Sequence, residues 1–526
     1  MPSILVRLLF CTLSACLLCG CEQEAPPATS LQQPPDSTAQ KVLAWPLSAP
    51  VTSFDPVAMT NVSEAAVARQ LFDTLVRLDQ NLSLAPGIAR KWEVDPTGRI
   101  YTFHLRVGIT FHNGAPLTAQ DVKHSLERLV RAGKDTFLFK HMKEIEGAEA
   151  FVQGQSEEIS GILAPNPLQV IIRLKKPHAP FLPALSIHQA GIVCVPDNSL
   201  QSEKSRRVVG SGPFVLESAD DKSITMRPFK QNIDGIPQID PLIFRFYAGS
   251  NIQAAIADFL AGELSAIPMV GPVEEVLRGR TGYRLVRRNT VGLFFYGFNV
   301  RKNAVLTTSM RKKIAQLIDK KEVTSSIHKD VRTPANTIIP LGLAGYRPSW
   351  NVPADNSGHD AQPVLPRSIR MLSAARNAAV KAEMAYFADR LSTLGCELQV
   401  EYILNWDEFY KRLAAGDCDM FRLAWYPDAP DLDEMFFPLF HSQGEYNHFG
   451  YANPRVDELL EQARAMARLE DRISLYHQAE DILLTDLPAI PMWHEAMNRA
   501  VIPNIHGLDA SPFGELYTSF ASIRIE

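Results

Sequence analysis

Cysteine is scarce in the body of this 526-residue chain: four of its seven cysteines (Cys11, Cys16, Cys19 and Cys21) fall in the first 21 residues, and Cys194, Cys396 and Cys418 form an odd, widely spaced remainder. A disulfide framework is excluded. Surplus positive charge is also missing. With 53 Lys and Arg against 58 Asp and Glu, the formal net charge is −5, so the chain carries no electrostatic footprint for nucleic acid. Beyond the first twenty residues no apolar run is long enough to span a bilayer. The common catalytic signatures are absent as well: there is no HExxH, GxSxG, P-loop or GxGxxG, and Gly210-Ser211-Gly212 lacks the rest of a dinucleotide fingerprint. His441 and His448 flank Glu445 without the spacing or helical placement of a metal site. Asp428, Asp431, Asp433 and Glu434 lack the glycine and terminal glutamate of a calcium loop, and this acidic run reads as a solvated face. No enzyme activity, cofactor or metal is expected.

What is present begins with an export signal over residues 1–20. Arg7 supplies the positive charge, and Leu8 to Gly20 form an apolar run too short for an ordinary membrane helix. Leu18-Cys19-Gly20-Cys21 resembles the lipobox of bacterial lipoproteins, which implies that Cys21 becomes the lipidated N-terminus. Residues 21–40 carry four prolines and almost no large apolar side chains, so they read as a flexible tether. The globular part starts near Lys41 and holds roughly three domains' worth of residues.

Periodicity orders the rest. Tyr101, Phe103 and Leu105 alternate with Thr102, His104 and Arg106 as a half-buried strand, and Thr118 with Asp121 caps a helix carrying Val122, Leu126 and Leu129. Ile369 to Leu372 reads as a strand. Val380, Met384, Phe387, Leu391 and Leu394 share a helix face that ends at Gly395. Leu398, Val400 and Tyr402 then alternate as a strand, and Asn405 with Glu408 caps a helix over Trp406 to Leu413, ending at Gly416. This β-α-β-α order predicts an α/β domain with parallel strands, whose ligands sit beyond the carboxyl ends of the strands. A further strand is expected over Met420 to Trp425. Helix is expected from Val456 to Leu484, broken near Leu469 to Arg472 and stopped by Pro488 and Pro491.

Read in order, the motifs resemble the peptide- and nickel-type solute-binding proteins of bacterial ABC importers, the group of the oligopeptide- and dipeptide-binding proteins. The matching stretches are Phe54-Asp55-Pro56, Leu71 to Leu75, Leu84 to Glu93, Tyr101 to Val122, Gly210 to Phe214, Phe298-Asn299 with Arg311 to Asp319, and Arg472 to Pro491. Departures are Leu432, where the family usually has proline, and Lys312 before Lys313. The resemblance implies an α/β, periplasmic-binding-protein-like fold of the large, three-lobed type II form, with the ligand cleft between lobes. Lobe I would comprise 41–73, 206–300 and 499–526, lobe II 74–205, and lobe III 301–498.

It also implies a role: an extracytoplasmic lipoprotein, in the periplasm or at the cell surface, that captures peptides and delivers them to an ABC permease. The partners are then a peptide, permease subunits and a membrane reached through the lipid anchor, with the protein itself a monomer. A binder of many peptides reads the shared ammonium, carboxylate and backbone, and a desolvated ammonium needs a carboxylate partner. Asp428, in Trp425-Tyr426-Pro427-Asp428, matches the family aspartate that binds the peptide N-terminus, with Trp425 and Tyr426 as walls. Arg422 matches a position that pairs with the ligand carboxylate in some relatives, and Arg376 is a rival for that task. Thr60, Asn61 and Val62 align with a loop that contacts ligand backbone. The alternatives are the same fold binding a nickel chelate or haem, and a surface lipoprotein hydrolase acting on peptides.

Overall fold

The computed structural model describes residues 41–526 except 60, 134–135, 195–208, 248–250, 302–304, 330, 349–363 and 509–511, with backbone alone at 515–516. Cys21 and Thr60 lie outside the described residues. The chain divides into two compact units, one holding residues 41–288 with Met497–Glu526, the other Asn289–Ala496.

In the first unit, strand β1 (Leu43–Leu47) leads to helix α1 (Val62–Leu71), then to strands β2 (Ala89–Val94) and β3 (Ile100–Leu105), helix α2 (Ala119–Ala132), and strands β4 (Ile162–Asn166) and β5 (Gln169–Arg173). Strands β6 (Phe214–Ala219), β7 (Ser223–Pro228) and β8 (Leu242–Phe246) follow. One sheet has the order β2-β3-β5-β4, all antiparallel. In β3, Tyr101, Phe103 and Leu105 are buried, the alternation that the sequence predicts. Helix α2 lies against β4 and β5, and its first turn is closed by Asp121, whose Oδ2 accepts the Thr118 N–H at 2.8 Å and the Thr118 hydroxyl at 2.7 Å. The other sheet has the order β1-β8-β7-β6, with β1 parallel to β8. Leu43, Trp45, Phe214, Phe244 and Phe520 form its core together with Leu71 of α1. Gly210 lies so close to α1 that a Cβ there would sit 1.9 Å from the Leu71 carbonyl oxygen, which fixes glycine at that point of the GSGPF motif.

The second unit holds strands β9 (Leu293–Phe298), β10 (Arg332–Pro334) and β11 (Ser368–Ser373), helix α3 (Ala378–Ser392), strand β12 (Glu397–Tyr402), helix α4 (Trp406–Ala415) and strand β13 (Met420–Trp425). Helices α5 (Asp433–Phe440), α6 (Pro454–Ala465) and α7 (Leu469–Asp486) precede strand β14 (Ala489–Val501). The chain leaves this unit within β14. Strand β11 is parallel to β12 on one side and to β13 on the other; β13 is antiparallel to β9, and β9 to β14. The β-α-β-α order read from the sequence is therefore present. The tertiary fold adds that the second crossover, through α4, carries β13 to the far side of β11. That reversal is a topological switch point, where side chains and ligands can occupy the crevice outside the carboxyl ends of β11 and β13.

The break in the C-terminal helical stretch falls at residues 466–468, slightly ahead of the expected Leu469 to Arg472. Arg472 is inside α7 and reaches back, its Nε donating to the Ala463 carbonyl at 3.1 Å. The end of α7 is capped from elsewhere. Buried Arg311 donates to the carbonyls of Asp486 (2.6 Å) and Leu487 (2.9 Å), groups that a helix end leaves without intrahelical partners.

Candidate functional site

The switch point brings together most of the residues singled out by sequence. Arg422 and Trp425 lie on β13, Tyr426 and Asp428 in the segment just after it, and Arg376 just after the neighbouring carboxyl end of β11. Asp428 is half-buried. Trp425 is buried at 4 % exposure, its indole N–H donating to the Glu434 carbonyl at 2.6 Å and its ring 4.9 Å from that of Tyr446. Tyr426 is half-buried and donates its hydroxyl to Glu495 Oε2 on β14. The Tyr426 ring lies against Gly292, where an added Cβ would come within 2.3 Å of it. Arg376 is exposed, with its guanidinium 5.7 Å from the centre of the Tyr402 ring.

Arg422 is at 8 % exposure, and its Nε donates to Glu383 Oε1 at 2.9 Å. Glu383, on α3, is fully buried, and the same oxygen accepts the Tyr296 hydroxyl at 2.6 Å. Glu383 Oε2 has no hydrogen-bond donor among the described residues; His328 Nε2 stands 3.7 Å away. The Arg422 guanidinium also faces the rings of Phe294 (5.1 Å) and Trp493 (5.6 Å), which stack on each other. Arg332 faces the same two rings and donates to Glu495 Oε1 at 3.0 Å. Burial pushes the His328 imidazole down to about 2, with Arg332 and Arg422 adding to the effect, so the ring is neutral.

Sequence reading missed Glu383, Tyr296, Arg332, Glu495 and Trp493. One signal for Glu383 existed: it stands three residues after Val380 and four before Phe387, a carboxylate inside the apolar stripe of α3.

The acidic run needs correction. Asp431, Asp433 and Glu434 are buried (4 %, 1 % and 1 % exposed), not a solvated face. Two of them are clasped: Asp431 accepts from Arg472 at 2.8 and 2.5 Å, and Asp433 from Arg464 at 2.7 and 2.8 Å. These bidentate pairs anchor the segment that follows Asp428 onto α6 and α7, a function that depends on residues 31 and 41 positions away in sequence.

In the first unit, Asn61 caps α1. Its side chain accepts the Glu64 N–H at 2.9 Å, and Glu64 Oε2 accepts the Asn61 N–H at 3.3 Å. Val62 is the first residue of that helix.

With the site described, the chain can be set beside known proteins. The model of the middle region of bacterial extracellular solute-binding proteins, family 5, matches residues 83–447. The dipeptide-binding protein DppE of Bacillus subtilis is 24 % identical over 495 residues, covering 89 % of this chain and 90 % of its own. Heme-binding protein A of Haemophilus influenzae is 23 % identical over 554 residues, covering 97 % of each. Among solved structures, Haemophilus influenzae OppA in complex with the peptide RPPGFSPFR superposes with a TM-score of 0.66 at 21 % identity, covering 92 % of this chain and 99 % of that one.

Proposed function

Because the chain belongs to family 5 of the bacterial extracellular solute-binding proteins, the substrate-binding components of ABC importers, we propose that its solute is a peptide, held by its N-terminal ammonium on Asp428. The observation that carries this reading is the half-buried carboxylate just beyond the carboxyl end of β13, beside Trp425 and Tyr426 at the switch point. A buried ammonium requires such a partner, and the aromatic side chains supply apolar walls. Calorimetric titration with short peptides and their N-acetylated forms tests it. Acetylation and Asp428→Asn should each weaken binding by about 2–4 kcal/mol, the range for breaking a desolvated charge pair. Equal affinity for free and acetylated peptides would remove Asp428 from this role.

The relative named for haem binding and the similar fold of NikZ from Campylobacter jejuni in complex with Ni(L-His) support a second reading, in which the same site takes haem or a nickel chelate. Native mass spectrometry of protein purified from its host separates the two by the mass of the co-purifying solute. Either way the family carries solutes rather than transforming them, and incubated peptides should be recovered at unchanged mass.

The lobes are read as 41–73 with 206–300 and 499–526, then 74–205, then 301–498. The sheet β2–β5 falls wholly inside the second range and the sheet of β1 and β6–β8 inside the first, which supports the division there. Strand β9 (Leu293–Phe298) is the exception, since it pairs with β13 and β14 in the second unit, which moves the start of the last range back to about Asn289. Among the described residues no helix is long and apolar enough to cross a membrane. Membrane attachment is assigned to lipid on Cys21, and Cys21→Ala protein should then leave the membrane fraction.

A further inference from the structure

Two guanidinium groups face the Phe294–Trp493 stack, and each already has a protein carboxylate: Glu495 for Arg332 and Glu383 for Arg422. The second pair is the more enclosed, with Arg422 at 8 % and Glu383 at 0 % exposure. Glu383 also binds this guanidinium through one oxygen only. Oε1 takes both Arg422 and the Tyr296 hydroxyl, while Oε2 is buried with no donor in hydrogen-bond range among the described residues, His328 Nε2 standing 3.7 Å away. A carboxylate in this state is poorly satisfied for a structural bridge, since a buried acceptor left bare is costly. It does resemble a small anion delivered to an arginine. The arrangement bears directly on ligand choice. A ligand carboxylate brought to Arg422 would meet Glu383 on the same cation, and two carboxylates sharing one site repel.

We propose that Glu383 is a built-in substitute for a ligand carboxylate. It occupies Arg422, so the solute is recognised without a carboxylate–Arg422 pair, and its acidic end is remote, amidated or absent. The ligand half of this statement rests on the peptide reading given above; the Glu383–Arg422 half does not.

The test has an arm for each half. Glu383→Ala removes roughly one acetate's worth of side chain and leaves Arg422 buried without its counter-charge. The melting midpoint should fall by about 10 °C, as expected when one partner of a buried ion pair is lost from a unit of this size. Sodium acetate should recover part of that loss where sodium chloride at equal ionic strength does not, and it should leave wild type and Glu383→Leu/Arg422→Met unmoved. If Glu383→Ala accumulates unfolded, the yield of refolded protein in acetate against chloride is the readout. Equal effects of the two salts overturn the proposal.

In the second arm, trialanine and trialanine amide should bind wild type with affinities within about threefold, and Glu383→Gln should shift the ratio toward the free acid by about tenfold. A tenfold preference of wild type for the free acid that Arg422→Met abolishes also overturns the proposal. If neither trialanine form binds wild type, the peptide reading fails. The acetate arm alone then decides the role of Glu383, rescue supporting it and no rescue overturning it.

Discussion

Asp73, in the segment after α1, is a carboxyl group whose ionisation works against the fold. Burial pushes it up to about 6, although the Ser211 hydroxyl donates to Oδ2 at 3.1 Å. The unfolded chain gives up this proton near the ordinary aspartate value, so between about pH 4 and 6 the folded state holds a proton that the unfolded state has lost. Stability therefore falls as pH rises through that window and stays lower above it. Asp73→Asn removes the penalty. Denaturant titrations should show a gain on the order of 2 kcal/mol at pH 7.5 and none at pH 4. A gain of equal size at both values would trace the effect to something other than ionisation. Single residues also carry opposite meanings here: Asp428 is half-buried at the end of a strand, whereas Asp431, three positions on, is locked to Arg472.

Among the elements, the clasp of α5 onto α6 and α7 has the largest consequence for the site. Arg472→Met leaves Asp431 buried without its cation, and the loss should be about 3–5 kcal/mol. Replacing both partners with apolar residues should cost far less, because the desolvation penalty goes with the pair. The same Arg472→Met protein should lose solute affinity, since the clasp fixes the segment after Asp428. A variant that is destabilised yet binds as tightly as wild type, measured by titration well below its melting midpoint, would separate the clasp from the site. In the first unit the comparable local device is Asp121 at the start of α2, whose replacement by alanine should cost about 1 kcal/mol, as for other N-terminal caps.

For the whole molecule, the relevant fact is that the chain divides into two compact units. A chain built this way need not unfold in one step. Scanning calorimetry should resolve two transitions, with Asp121→Ala lowering the one that belongs to residues 41–288 with Met497–Glu526, and Arg472→Met the one that belongs to Asn289–Ala496. Equal shifts of a single transition by both substitutions would mean that the units unfold together.

The sequence by itself determined the local elements and the order in which they follow one another. The strand Met420–Trp425, the cap at Thr118 and Asp121, and the helices ending near Gly395 and Gly416 are written in spacing and capping chemistry that act over a few residues. It also pointed to Trp425, Tyr426 and Asp428, through the resemblance of that stretch to a family motif. Only the tertiary structure decided what faces them. That β13 passes to the far side of β11, that Glu383 reaches Arg422 from 39 positions away, and that the acidic run after Asp428 is buried against distant arginines all depend on which segments pack together. The physical reason is one of range: a helix period or a cap is fixed by neighbours in sequence, whereas the charge state and availability of a side chain are fixed by whatever folding brings against it.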